Sequence, residues 1–245
     1  MGRIDESQAE LWNKLYPHQH ESCQYSPLHL WLTDLIRREL AELTFSTLLD
    51  VGCGDGTKLN MLQPQPGCVV TGVDISPVAV AMAKESFPRG EFHTLDVQTT
   101  PLPGEYDVVI CSEVLEHVEA DVSALENIRE ACAGALVLTV PSGPRDATLR
   151  RWGHVRHYPK AELASKLVTA GFDIVKLRCL GFPFHTMYRI GLNLTPDRSV
   201  LQLGAPDVGR VRRAVFFTCY QLFKLNFSGL GWQLLAVARP AQRLY

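Results

Sequence analysis

The sequence predicts one α/β domain built on a seven-stranded, mostly parallel sheet with helices on both faces. Three observations predict it. Apolar runs of strand length alternate with segments of helical period from Thr47 to Gly181, the pattern of strands joined by covering helices. Runs such as Val108 to Cys111 and Ala135 to Leu138 are continuously apolar, as strands buried on both faces are. The chain has 245 residues, 46% of them hydrophobic, which suffices for one core near the upper end of single-domain size. Residues 1–45 form a helical cap, 46–180 the sheet core, 181–230 a helical insertion and 231–240 the last strand.

The elements follow in order. Ser26 and Pro27 introduce an amphipathic helix to about Leu43, with Leu28, Trp31, Leu32, Leu35, Ile36 and Leu40 on one face, which makes it a lid or an extra core layer. Strands are expected at Thr47 to Gly52, Cys68 to Ile75, Glu91 to Val97, Tyr106 to Ser112, Ala135 to Val140 and Phe172 to Leu180. Ser76 followed by Pro77 caps one intervening helix and Asp121 caps the helix to Cys132. Pro159 opens a helix that Gly171 closes. Beyond Gly181 the alternation breaks at Pro183, Pro196 and Pro206. An aromatic-rich helix, Val208 to Phe227, comes next, and Trp232 to Ala238 is the final strand.

Composition narrows the setting. No stretch approaches the roughly 18 to 20 apolar residues of a membrane span, and Met1 to Glu10 is polar where a secretory leader would be basic then apolar. The seven cysteines lack both zinc-type pairs and a secreted disulfide spacing. The expectation is a cytoplasmic protein. Charge is divided unevenly: Met1 to Pro144 holds 8 basic and 21 acidic residues, net −13, and Arg145 to Tyr245 holds 16 and 5, net +11. The C-terminal half is either a surface for an anionic substrate or acidic membrane, or a set of solvated charges.

Chemistry concentrates where strands end. Leu48-Leu-Asp-Val-Gly-Cys-Gly-Asp-Gly56 runs from a strand into a glycine turn and a helix. Gly52, Gly54 and Gly56 let the backbone turn sharply and let a ligand lie on it. Asp74, 20 residues after Gly54, is placed to accept hydrogen bonds from two ribose hydroxyls. Asp96 ends the third strand and faces an adenine amino group; Asp50, before the glycines, can hold a ligand ammonium.

This order of motifs, with "LLDVGCGDG", "GVDIS", "HTLDV", "EYDVVICSEVLEHV" and "GHVRHYPKAELASKLVTAGF", resembles the class I methyltransferases that use S-adenosylmethionine (SAM). The resemblance spans about Thr47 to Arg239 and is nearest to the methyltransferase type 11 branch that includes the ubiquinone-biosynthesis O-methyltransferases. It implies a Rossmann-like sheet and SAM as cofactor. Gly52, Gly54 and Gly56 would support the methionine part, Asp74 with Ile75 the ribose, and Asp96 with Val97 the adenine. Ser112 and Glu113 would line the cleft beside the sulfonium. A nicotinamide dehydrogenase is the rival for a glycine turn and a ribose carboxylate. The turn here is GxGxG and not GxGxxG, and the YxxxK string at Tyr220 and Lys224 falls in the late insertion.

Two further groups stand out. If the chain enters a helical turn after the fourth strand, Glu113, Glu116 and His117 fall at i, i+3 and i+4. With His154 or His157 they could hold a divalent cation such as Mg, as similar strings do in some methyltransferases. Otherwise Glu113 and His117 line the cleft and Glu116 is exposed. His117 and His154 are also candidate bases for an acceptor hydroxyl. Arg150, Arg151 and Arg156 either grip an anionic group of the acceptor or are solvated.

The insertion mixes Phe182, Phe184, Tyr188, Phe216, Phe217, Tyr220, Phe223 and Phe227 with arginines. That suits a small-molecule or lipid-like acceptor, a peripheral membrane contact through 181–230, a helix packed on the sheet, or a dimer contact. A nucleic-acid partner fits less well beside so acidic an N-terminal half. The expected activity is methyl transfer to an oxygen of a small or lipid-like acceptor. The alternatives are a non-methylating SAM binder such as a cyclase, and a peripheral membrane interaction protein.

Overall fold

Two helices precede the sheet: α1, Glu6–Tyr25, and α2, Pro27–Leu40. Ser26 caps α2 by accepting from the His29 amide, and Pro27 takes its first position, where a missing N–H costs nothing. The computed structural model describes residues 6–145, 149–150, 152–193 and 209–242.

The core then alternates as the apolar runs require. Strands β1 (Thr47–Val51), β2 (Val69–Asp74), β3 (Glu91–Thr94), β4 (Tyr106–Ser112) and β5 (Cys132–Pro141) enclose helices α3 (Thr57–Leu62), α4 (Pro77–Ser86) and α5 (Asp121–Ala131). Helix α6 (Lys160–Thr169) leads into β6 (Phe172–Phe182). Then come α7 (Phe184–Asn193), α8 (Arg210–Phe223), β7 (Phe227–Ser228) and β8 (Gln233–Pro240).

Sheet order is β3-β2-β1-β4-β5-β8-β6-β7. β1 pairs in parallel with β2 and β4, and β4 in parallel with β5, while β8 is antiparallel to both β5 and β6. Chain order reverses between β1 and β4, so the crevice above their carboxyl ends is where such sheets bind ligands. Each sheet face carries its own core. Leu125, Ile128, Leu163 and Leu167 from α5 and α6 lie on one side. Ile36, Leu59, Val80 and Phe87 from α2, α3, α4 and the turn after it lie on the other. A third cluster joins Trp31 and Leu32 of α2 to Phe223 of α8 across β8, which makes α2 a core layer and leaves α1 as the cap.

The sheet has eight strands where the sequence predicts seven. The extra one, β7, is two exposed residues paired to the edge of β6, too short to show any periodicity. Asp121 is not the cap of α5: Ala120 holds that position, and the Asp121 carboxylate takes Tyr158, Lys166 and Arg156 instead. The insertion contains two described helices, because Pro183 precedes the start of α7 and does not break it. The expected start of its aromatic helix at Val208, with Pro196 and Pro206, lies outside the described residues.

Candidate functional site

Gly52, Asp74, Asp96 and Glu113 each sit at or just past the carboxyl end of a strand. β1 runs out at Val51, and Gly52, Gly54 and Gly56 follow with φ of +69°, +56° and +79°. That region costs a residue with a Cβ roughly 1 to 2 kcal/mol. The Gly52 and Cys53 amides both donate to the Val73 carbonyl of β2, at 2.8 and 3.0 Å, which ties the turn to its neighbour. A Cβ on Gly52 would stand 2.2 Å from a Val114 methyl.

Asp74, at the end of β2, is buried. Its Oδ2 accepts from the Gly54 amide at 2.9 Å and its Oδ1 from the Ser76 amide at 2.9 Å. The hydroxyl of Tyr16, on α1, donates to Oδ2 at 3.5 Å. Burial raises this carboxyl above its ordinary range, and the Ser76 and Gly54 amides, Lys58 and Tyr16 oppose the rise. Asp74 lines a cavity of about 100 Å³ together with Ile75, Asp96, Val97 and Val118. Asp96 Oδ1 accepts from the Gln98 amide at 3.0 Å, which curls the loop after β3 around that space.

A second cavity of about 280 Å³ adjoins the first, and the two share Trp12, Tyr16, Gly52, Glu113 and His117. Ser112, Lys58, Glu116, His154 and Arg189 also line it. Asp50 and Gly56 line neither cavity. Asp50 is fully buried and neither of its oxygens has a hydrogen-bond partner among the described residues; Lys58 Nζ lies 3.6 Å from Oδ1. Burial pushes Asp50 up to about 6, with Lys58 pulling the other way.

The segment after β4 departs from the helical turn that the sequence predicts. Glu113 has φ of +58°, and its Oε1 accepts from Thr139 at 3.1 Å and from Gln233 at 2.7 Å. Only Leu115–His117 forms a short 3₁₀ turn. The left-handed backbone thus directs Glu113 to β5 and β8, away from the cluster formed by Glu116, His117 and His154, whose ligand atoms lie within 4.8 Å of one another. Glu116 is not exposed. It is fully buried and neither oxygen has a hydrogen-bond partner among the described residues. Burial, then the Glu113 charge, holds it well above the ordinary carboxylate range.

His154 reaches this cluster because the Val155 amide donates to the Glu116 carbonyl at 2.7 Å. Its Nδ1 lies 3.0 Å from His157 Nε2, and His157 Nδ1 lies 2.5 Å from the Gly143 carbonyl. A carbonyl only accepts, so His157 must donate through Nδ1; in its neutral form its Nε2 then accepts from His154 Nδ1. The chain leaves the lone pair of His154 on Nε2. Burial lowers His117 to about 4 and His154 to about 2, the latter with help from the His117 and His157 charges, so both rings are neutral near pH 7.

Other expectations resolve plainly. Arg156 does not serve the cleft, because it pairs with Asp121 and Glu119. Arg150 donates to the Arg145 carbonyl at 3.2 Å, and Arg151 lies outside the described residues. Tyr220 bonds to Asp34 and carries Lys224 over its ring at 4.1 Å, lining neither cavity. Trp12, Tyr16 and Lys58 go beyond the expected site residues, whereas Arg189 is one of the insertion's arginines. Lys58 had a signal, being the only basic residue between Arg38 and Lys84.

Residues 25–177 match the sequence profile of the family described as the methyltransferase domain. The chain belongs to this family. Among its relatives is the ubiquinone biosynthesis O-methyltransferase of Bordetella bronchiseptica, 30% identical over 154 residues, which are 57% of this chain and 59% of that protein. Nodulation protein S of Azorhizobium caulinodans is 30% identical over 169 residues, 66% of this chain and 77% of that one. This methyltransferase-family chain spans 59% of the Bordetella protein and 40% of the corresponding Pseudomonas paraeruginosa protein. The fold is shared with the cyclase SpnF, at a TM-score of 0.60 and 22% identity over 87% of this chain and 82% of that one. It is also shared with the N-methyltransferase NodS of Bradyrhizobium japonicum in complex with S-adenosylhomocysteine, at 0.54 and 22% over 86% and 85%.

Proposed function

We propose that the chain transfers the methyl group of SAM to an oxygen of a small acceptor. The observation that carries this reading is the pair of adjoining cavities over the ends of β1 to β4, meeting at Gly52 and Glu113. Asp74 fits a ribose: protein donors, one of them the Tyr16 hydroxyl, already converge on its carboxylate. Asp96 and Val97 would flank the adenine, Ile75 the sugar, and Gly52 and Gly54 the methionyl chain. Lys58, which lines the larger cavity, would meet the carboxylate end of the methionyl chain, and the buried Asp50, 3.6 Å from Lys58 Nζ, would hold Lys58 in place. Bound SAM supplies an electrophilic methyl on a sulfonium. The protein aligns the acceptor with that methyl and keeps water out, with Ser112 and Glu113 as the near wall and the apolar rings of α1 as the roof.

On this reading the lone pair of His154 Nε2 receives the proton of an acceptor hydroxyl. A specific observation supports a second role for the same cluster, exclusive of the first because Nε2 carries the one free lone pair of His154. A buried carboxylate without a donor is costly, and Glu116 beside two neutral imidazoles would be satisfied by a divalent cation. One carboxylate and two imidazoles suit Mn or Zn better than the Mg of the initial expectation. Calorimetric titration with MnCl₂ or ZnCl₂ tests this: binding in the wild type that disappears in Glu116→Ala supports it, and no uptake removes the metal.

Release of S-adenosylhomocysteine on adding hydroxylated or carboxylated acceptors is the test of the activity. Tight SAM uptake with no turnover on any of them would favour a non-methylating cyclase-type role. Failure to bind SAM or its demethylated product would end the reading.

A further inference from the structure

Ten of the thirteen exposed large hydrophobic residues among the described residues fall between Phe182 and Leu230. On α8, Val211, Val215 and Leu222 are 81%, 53% and 37% exposed, at spacings of four and seven that keep them on one side of a helix. Phe223, about 100° round the helix from Leu222, is spent on the third core cluster. Phe227 and Leu230 are exposed past the end of α8, and Met187 and Ile190 are exposed on α7. Exposed apolar side chains concentrated in one insertion mark an interaction surface.

Charge decides the occupant. From Phe182 to Gly231 the sequence has six basic residues and two acidic ones, and Arg210 and Lys224 are exposed at either end of α8. A symmetric contact with a second copy would set these like charges against each other, whereas an anionic surface would accept them. No described helix is long and apolar enough to cross a membrane, so the contact is peripheral. Helix α7 joins this surface to the site: Met187 and Ile190 face outward, while Tyr188, Arg189 and Leu192 line the 280 Å³ cavity.

We propose that α7, α8 and the β7 edge dock on an anionic phospholipid bilayer, and that the cavity opens toward the membrane to take a lipid-soluble acceptor whose polar head meets Arg189. The acceptor class rests on the methyltransferase reading above; the docking does not.

The full chain, sedimented with phosphatidylcholine vesicles with and without phosphatidylglycerol, should partition at least tenfold more strongly onto the anionic ones, and salt should weaken it. The double variant V211D/V215D should lose about tenfold or more of that binding while keeping its circular dichroism and its affinity for S-adenosylhomocysteine. Arg210→Gln with Lys224→Gln should lose a similar amount, on anionic vesicles only. Wild-type protein left in the supernatant, or V211D/V215D binding like wild type, overturns the proposal. So does a concentration-dependent dimer that this variant dissolves. Vesicle binding needs no turnover, so its failure is separate from failure of the activity, which the product titration reads alone.

Discussion

The two walls of the site are built on different physical terms. The wall proposed for the cofactor is made of strand ends, where Gly52, Gly54, Asp74 and Asp96 are fixed by backbone hydrogen bonds within the sheet and its loops. The wall proposed for the acceptor is assembled from pieces distant in the chain: α1, the His154 loop and α7. Side chains hold α1, through Tyr16 on Asp74 and the Ser76 hydroxyl on Asn13 at 2.6 Å, and Gln8 Nε2 on the Gly153 carbonyl at 3.0 Å ties it to the His154 loop, which rests on the Glu116 carbonyl through the Val155 amide at 2.7 Å. The first wall is rigid because moving it breaks the sheet. The second can open at the cost of a few hydrogen bonds, each worth roughly 0.5 to 1.5 kcal/mol, and helix α1 must give way where Tyr16 covers Gly54 and Asp74.

If that contrast holds, damage to the strand-end wall is severe and local. Gly52→Val should show the largest effect. It places a side chain in the left-handed region and against Val114, at roughly 2 to 5 kcal/mol of stability, and blocks the floor shared by both cavities. Denaturant unfolding and calorimetry should report both losses together; a variant that keeps SAM affinity would refute the rigid floor.

Next comes the link between the walls. Asp121 receives Tyr158 at 2.8 Å, Lys166 and Arg156 at 2.5 Å, so it anchors the loop that presents His154. Burial alone would raise its pKa, but Lys166, Arg156 and Tyr158 outweigh that and hold it below the ordinary range. A depressed carboxyl stabilises the fold above its unfolded pKa, about 4, and that contribution is lost as pH falls through the lower folded value. Asp121→Ala should therefore cost about 3 kcal/mol near neutral pH, with the gap to wild type closing in acid. A pH-independent gap would mean the ion pairs are not its source.

Asp74→Ala should be milder for stability and specific for the cofactor, weakening SAM by about 1 to 3 kcal/mol. Because Tyr16 loses its acceptor in the same change, Tyr16→Phe separates the two contributions: it should leave SAM affinity equal or higher, since a protein donor no longer occupies the ribose carboxylate.

The same contrast explains what the sequence disclosed. β4 was legible to the residue, Tyr106–Ser112, because its centre, Val108 to Cys111, is an unbroken apolar run, and Asp74 ends β2 as expected, whereas Asp96, expected to end the third strand, lies two residues past the Thr94 end of β3. Features set by contacts between distant segments left no local trace. Nothing near Tyr16 shows that it will reach Asp74, 58 positions away. Nor does the ExxEH string reveal that Glu113 turns left-handed to meet Gln233, 120 positions on. The three-ligand cluster is thus half legible: its residue types are in the sequence, but its membership was decided by one backbone angle.

The smallest effect belongs to the far end of the sheet. Asp107, near the start of β4, accepts from the Ser46 amide at 2.7 Å, the Ser46 hydroxyl at 2.8 Å and the Thr47 amide at 3.0 Å. These bonds, the Ser46 amide first, lower its pKa to about 2. It clips the chain as it enters β1, at the end of the strands opposite the glycine turn. Asp107→Asn keeps one carbonyl acceptor and loses the charge, so it should lower the melting temperature slightly near pH 7. The difference should vanish as pH falls toward 2, where the wild-type carboxylate is protonated as well. Affinity for SAM should not move at all. If it does, the two ends of β1 are coupled along the strand, and the division between a rigid cofactor wall and an adjustable acceptor wall would have to extend through the sheet itself.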